Sequence, residues 1–387
     1  MIERVAGKLV KTLASEFKVV AITGPRQSGK TTLARFAFDD KPYASLEEPD
    51  VRVFAEADPR GFLAQFPHGA VLDEVQRVPG LLSYIQGIVD TRKQPGQFIL
   101  TGSEHFGLVH HITQSLAGRA GFLRLLPFSA AELKQAGLLP GEIMELLFKG
   151  GYPPIYDQPV VPERWYNAYI TTYIERDVRQ LQNIRDLSLF QRFLALCAGN
   201  TGQLLNMARI GADCGINHET ARIWLSVLEA SYIIFRLQPH HRNFRKRLVK
   251  TPKLYFWDTG LASRLLGIET AHQLHTHPLR GALFENWVIS EAYKQRGAQG
   301  KSDNFYFWRN NTGLEVDLLI DTGTSLHPIE IKSGTTIAQD WLGPLRQWLD
   351  LAGDAGAKPA IVYGGKECQT RKGVLIVPWT EMQRTIV

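Results

Sequence analysis

The stretch that most constrains this chain is Gly24-Pro25-Arg26-Gln27-Ser28-Gly29-Lys30-Thr31, which fits the pattern G-x-x-x-x-G-K-[ST]. It follows the apolar run KVVAIT, which reads as a strand, and opens a helical pattern, the context a phosphate-cradling loop requires. Glycines let successive backbone N–H groups turn inward as an anion nest, and the helix N-terminus adds partial positive charge. Lys30 is placed to reach the β and γ phosphates, and Thr31, with Thr32 beside it, offers a hydroxyl to a magnesium ion. The ligands implied are ATP and Mg2+. The alternative is a glycine-rich turn that holds nothing.

A second strand, Ala70-Val71-Leu72, ends in Asp73-Glu74. Adjacent carboxylates then emerge at the carboxyl edge of a parallel sheet, where such folds bind ligands. Asp73 is expected to hold the hydrated magnesium and Glu74 to polarise the attacking water, which favours hydrolysis over transfer to an organic acceptor. A strand followed by a solvated acidic turn is the alternative. The strand FILTGS delivers Thr101 and Ser103 to the same edge as sensors of the γ phosphate, Thr101 being the preferred one. Arg119, in SLAGRAG, has two readings: an arginine finger that offsets transition-state charge in a neighbouring subunit, or a plain surface arginine.

At 387 residues the chain predicts more than one packed unit. The first third alternates strand and helix signals, so the fold class is α/β with a parallel sheet. After Pro127 the pattern turns helical, ending in the long ERWYNAYITTYIERDVRQL. From about Leu187 three helical segments precede two strands around a basic loop, and the remainder holds an amphipathic helix, GALFENWVISEAYK, and strands FYFWR, LEVDLLI, HPIEIKS and AIVYG. No apolar run approaches the eighteen or so residues of a bilayer span, and MIERVAGKLVKTL lacks the apolar core of a secretory signal, so a cytoplasmic location without membrane partners is expected. Cys197, Cys214 and Cys368 stand far apart without a CxxC pair and read as buried thiols.

The segments GPRQSGKTTLAR, VLDEVQRVPGLL, ILTGS, LAGR and GGYPPIY together resemble a prokaryotic AAA+ ATPase family whose members carry a C-terminal domain of unknown function. The resemblance spans essentially the whole chain. It implies an AAA+ P-loop core over residues 1–135, a helical lid over 136–186, and assembly into a homo-oligomeric ring.

Residues 187–257 read as a winged helix: Gly215 makes the turn, Asn217 caps the third helix, and Ile223 and Leu228 face its core. That helix is expected to present His218, Thr220 and Arg222 outward. From Ala230 to Trp257 there is no acid, while Arg236, Arg242, Arg245, Lys246, Arg247, Lys250 and Lys253 are basic, with Phe244 interleaved. A polyanion such as DNA is the partner this implies, with packing of a merely solvated basic hairpin as the alternative.

In residues 258–387, LEVDLLI and LHPIEIKS flank the turn DTGT and predict a hairpin. Period-two alternation places Glu330 and Lys332 on one face, with Asp317 nearly opposite Glu330. Glu285 lies in a helix among apolar turn neighbours, Gly281, Ala282, Val288 and Ile289, so its charge needs a partner. Helix Glu285, strand Asp317, then Glu330-x-Lys332 resembles the PD-(D/E)XK nuclease superfamily, a restriction-endonuclease-like α/β domain. That resemblance implies metal ligands at Asp317 and Glu330 and a water-activating Lys332. An amphipathic edge strand with solvated charges, or an inactive relic, is the alternative. His272, His275 and His277 lack a carboxylate or cysteine at metal-ligand spacing and read as a loop. The function expected is an ATP-driven protein that binds and remodels or translocates duplex or branched DNA, such as Holliday junctions. The alternative is a nucleotide-gated switch that binds DNA or protein without cleavage.

Overall fold

A computed structural model of the chain describes residues 2–103, 115–174, 186–240 and 249–386. Strands β1 (Val19–Thr23), β2 (Tyr43–Ser45), β3 (Ala70–Asp73), β4 (Phe98–Gly102) and β5 (Ala120–Arg124) form one sheet in the order β2-β3-β4-β1-β5. Its pairings are all parallel, so the loops after β1, β3 and β4 emerge at a single edge. The three central strands are buried throughout, as a sheet covered on both faces demands. Alternate residues of β1 serve opposite faces. Val20 and Ile22 pack with Val10, Leu33 and Ala34 of the helices Ala6–Glu16 and Lys30–Ala37. Val19 and Ala21 pack with Phe62, Leu81, Ile85 and Val89.

Ser129 and Glu132 form a reciprocal capping box that starts the helix Ala130–Gln135. Helices Ile143–Lys149 and Pro162–Tyr169 follow, the latter running into one π-helical stretch, Ile170–Ile174. The rest of the long helical pattern, 175–185, lies outside the described residues.

Three helices then precede an antiparallel ribbon, in the expected order: Leu187–Gly199, Met207–Cys214, His218–Ala230, and strands β6 (Ile234–Leu237) and β7 (Lys253–Phe256). Gly215, at φ +83°, ends the second helix in the left-handed region, where a Cβ would be strained. The Asn217 side chain accepts from the Thr220 amide at 2.7 Å and caps the third. Leu228 is fully buried and Ile223 packs half-buried against the core.

The C-terminal sheet contains β8 (Phe305–Arg309), β9 (Glu315–Asp321), β10 (Leu326–Lys332), β11 (Ala360–Tyr363), β12 (Gln369–Arg371) and β13 (Val374–Pro378), in the order β12-β13-β11-β10-β9-β8. The helix Arg280–Ala298 was expected to be amphipathic, but it is covered on all sides. Leu283, Phe284, Val288, Ile289 and Ala292 are buried, and so are Asn286, Ser290 and Glu291. The physical reason is its position between β10, the ribbon strand β7 and β5. Its polar residues are therefore paired internally: Asn286, for instance, exchanges two hydrogen bonds with the Phe256 backbone.

One continuous apolar core runs from Leu126 to Met382 through the helices, the ribbon and the C-terminal sheet. Cys197 and Cys214 are buried as expected, whereas Cys368 is exposed, because it precedes the short edge strand β12.

Candidate nucleotide site and carboxylate cluster

At the end of β1 the chain turns through Gly24 (φ +147°), Gln27 (φ +58°) and Gly29 (φ +90°). A Cβ on Gly24 would fall 2.1 Å from the Leu125 carbonyl oxygen, so only glycine lets the loop lie against the end of β5. Lys30 is almost fully buried, and its Nζ donates to the carbonyls of Pro25 (2.8 Å) and Gly24 (3.2 Å). Burial lowers its pKa to about 8, against the upward pull of Glu74 and Asp73. The buried Ser28 hydroxyl in the same loop has no hydrogen-bond partner among the described residues. Thr32 and Gly29 border a cavity of about 440 Å3, which Arg4, Phe36, Phe128 and Pro153 also line.

Asp73 closes β3 and collects three hydroxyls. Thr31 Oγ1 lies 3.0 Å from both carboxylate oxygens, Tyr43 Oη donates at 2.9 Å, and Thr101 Oγ1 donates as well. Burial, with help from the Asp73 charge, pushes the Tyr43 hydroxyl up to about 12. Glu74 sits at φ +55°, where its carboxylate meets Gln76 Nε2 and, at 3.3 Å, Ser103 Oγ. The two hydroxyls expected to act as sensors thus divide between the paired acids, Thr101 on Asp73 and Ser103 on Glu74. A hydroxyl-lined carboxylate beside a buried ammonium and an unpartnered serine suits a magnesium-bound triphosphate.

The carboxylate cluster is built where the hairpin, the long helix and the ribbon meet. Ile329 pairs with Leu318, so the next residues, Glu330 and Asp317, stand opposite each other. Asp317 Oδ2 accepts from the Ile331 amide at 2.8 Å, and Lys332 Nζ lies 2.5 Å from Glu330 Oε1. Glu285 Oε1 accepts from Lys253 Nζ (2.9 Å) and Tyr255 Oη (2.5 Å), both on β7. Lys253 Nζ also lies 2.5 Å from Glu315, which Arg309 meets from its other side at 3.1 Å. Burial pushes the Asp317 carboxyl well above the usual carboxylate range, and the charges of Glu330 and Glu285 add to that shift. Burial likewise raises Glu330, against the pull of Lys332. For Lys253, burial favours the neutral amine, but Glu285, Asp317 and Glu315 outweigh it and hold the ammonium charged. Among the described residues, no three His, Cys, Asp or Glu gather at a spacing that could hold a metal ion.

Residues 16–134 match an AAA domain family, and residues 141–272 and 280–382 match two families described as domains of unknown function, DUF8612 and DUF4143. The uncharacterized protein Rv2008c of Mycobacterium tuberculosis is 32% identical over 321 residues, covering 82% of this chain and 71% of that one. The uncharacterized protein Mb2031c of Mycobacterium bovis matches to the same extent. This chain belongs to their family. It carries an AAA-type ATPase domain. Among solved structures, the Walker-type ATPase PABY2304 of Pyrococcus abyssi is similar at 16% identity, covering 68% of this chain and 96% of that one, with a TM-score of 0.46. RuvB of Thermotoga maritima is similar at 22% identity, covering 60% and 86%, with a TM-score of 0.31.

The AAA domain contains Lys30, Thr31, Asp73, Glu74, Thr101 and Arg119. Arg119 precedes β5, level with the start of β1, so it lies at the sheet edge opposite the phosphate-cradling loop. There it forms a two-pronged ion pair with Asp90 (2.5 and 2.9 Å). Arg4 escaped the sequence reading, since an N-terminal arginine carries no local signal. It donates to the Ser28 carbonyl (2.7 Å), the Leu126 carbonyl (2.6 Å) and Glu132 (2.9 Å), tying the loop to the segment after β5.

In the middle region, His218 and Arg222 are exposed and Thr220 is half-buried. Arg222 pairs with Glu219 at 2.5 Å. Lys250 is exposed, while Arg242, Arg245, Lys246 and Arg247 lie outside the described residues. Lys253, counted in sequence among the cations facing a polyanion, is instead buried at 3% exposure, because β7 directs it between Glu285 and Glu315. The carboxylate cluster therefore spans two family regions, with Lys253 and Tyr255 in 141–272 and the acids in 280–382. His272 and His275, expected in a loop, lie exposed on a 3-10 helix, Ala271–His275, which the Thr270 and Gln273 capping box starts, and the His277 ring accepts from the Leu279 amide.

Among the described residues, no helix is long and apolar enough to cross a membrane.

Proposed function

We propose that this chain hydrolyses ATP with Mg2+ and uses the cycle to grip and remodel or translocate duplex or branched DNA, assembled as a homo-oligomeric ring. The observation that carries the reading is the meeting of Lys30, Thr31, Asp73 and Glu74 at one edge of the AAA sheet. Lys30 leaves its loop carbonyls to neutralise the β and γ phosphates, and Glu74 orients the attacking water. Thr31 and Asp73 would hold magnesium, which when bound would offset charge on the phosphate oxygens. The cavity beside Thr32 takes the base and ribose. The capped helix His218–Ala230 and its ribbon, read as a winged helix, supply the DNA contact through His218, Thr220, Arg222 and the basic 242–250 segment. Arg119, on the edge away from its own loop, completes the site of a neighbouring subunit.

The test is ATP turnover by the full chain with linear, nicked and four-way DNA. Stimulation by at least one form is expected, with Glu74→Gln retaining ATP while losing turnover. Turnover indifferent to every DNA form sinks the reading.

A second reading, a nucleotide-gated switch that binds without cutting, is favoured by one observation: the ammonium of Lys253 sits among the acids of the nuclease-like cluster.

A further inference from the structure

The acids Glu285, Asp317 and Glu330 lie in one cluster, yet among the described residues no three such groups gather at a metal-holding spacing, and one oxygen of each is already engaged. A magnesium ion needs carboxylate oxygens at about 2.0–2.1 Å in near-octahedral array. Here Glu285 Oε1 is engaged by Lys253 and Tyr255, Glu330 Oε1 by Lys332, and Asp317 Oδ2 by the Ile331 amide. Glu315 is engaged by Lys253 and Arg309. The residues present do not fit a divalent ion at this site.

We infer that Lys253, paired with Glu285 and Glu315 and adding its charge beside Asp317, is the built-in cation of the cluster, so that the nuclease-like domain binds no metal and does not cut by a metal route. Four carboxylates, Glu285, Glu315, Asp317 and Glu330, face three cations, Lys253, Lys332 and Arg309, and the balance is nearly closed from within. Strand pairing fixes the root of Lys253. Its backbone is paired with Leu237 in the ribbon and bridged to Leu204, and its Nζ lies 5.6 Å from the centre of the Phe307 ring. A divalent ion arriving beside it would meet like charge around a buried ammonium, where repulsion is less screened than in open water. Among the described residues, the cluster also holds a buried oxygen without a partner, Glu330 Oε2.

This inference rests on reading 280–382 as nuclease-like, and its test reads metal uptake, apart from ATP turnover. Mn2+ is titrated into nucleotide-free full-length protein, followed by electron paramagnetic resonance, for the wild type, Asp317→Asn, Lys253→Met and the double variant. Wild type and Asp317→Asn are expected to give the same weak background. Lys253→Met is expected to take up one Mn2+ at least about tenfold more tightly, and the double variant to lose it, since the site is then a carboxylate cage without its ammonium. Wild-type uptake that Asp317→Asn abolishes overturns the inference, and so does a folded Lys253→Met that takes up no Mn2+. If Lys253→Met fails to fold, the comparison of wild type with Asp317→Asn decides. An unchanged ATP response to DNA in any of these outcomes leaves the nucleotide reading standing by itself.

Discussion

Tyr232 Oη lies 2.9 Å from Thr23 Oγ1, a buried contact between residues 209 apart in sequence. Thr23 is the last residue of β1, one step before the phosphate-cradling loop, and Tyr232 occupies the turn between the helix His218–Ala230 and β6. The strand that leads into the nucleotide loop and the proposed DNA reader therefore share a hydrogen bond. Tyr232→Phe is expected to cost about 1 kcal/mol of stability, as loss of one buried hydrogen bond does. It should leave ATP affinity within about twofold while cutting DNA stimulation of turnover severalfold. Calorimetric ATP binding and DNA-dependent turnover on the same preparation check this; full stimulation in the variant would deny the contact a coupling role.

Lys30 binds phosphate as an ammonium, and burial lowers its pKa to about 8. The sign follows directly: below pH 8 the charged form prevails, and above it the neutral amine does. ATP affinity should weaken as pH rises through about 8, by up to tenfold per unit once titration is complete. Affinity measured from pH 6.5 to 9.5 tests it, and a flat profile would mean that Lys30 stays charged throughout.

Arg119 is tied to Asp90 at an exposed edge, so Arg119→Ala should leave the melting temperature and ATP affinity unchanged. Turnover should fall by roughly a thousandfold if the guanidinium serves a neighbour. Mixing Arg119→Ala with Lys30→Ala chains should restore part of it, because each supplies what the other lacks. Turnover by Arg119→Ala equal to wild type would make it a surface ion pair only.

Arg4→Ala removes a buried cation from Glu132 and leaves the Ser28 and Leu126 carbonyls without their donor. Breaking such a pair costs about 3 kcal/mol or more, and the loop it steadies should bind ATP less tightly. Urea unfolding and ATP titration measure the two effects; a loss below about 1 kcal/mol would place Arg4 among ordinary surface contacts.

The nucleotide loop was legible because phosphate chemistry needs its residues contiguous, from Gly24 to Thr31. The pairing of Asp317 with Glu330 was legible too, since a short turn and a period of two set the register. Glu285 announced itself by its apolar turn neighbours. Lys253 was hidden, one basic residue among seven in an acid-free stretch, because its partners lie 32 and 62 residues away. Tyr43, Tyr232 and Arg4 were hidden for the same reason: tertiary contact leaves no local trace. The amphipathic reading of Arg280–Ala298 failed because neighbours on every side give its polar residues internal partners. The helix Leu342–Ala352 and strands β12 and β13 went unread, the two strands being short edge and near-edge pieces.

The unbroken core from Leu126 to Met382 joins the helices, the ribbon and one face of the C-terminal sheet through shared packed side chains. Scissors placed at residue 257 would expose two raw apolar faces rather than release two working modules. A cut there should damage the capped helix with its ribbon and the acid cluster alike.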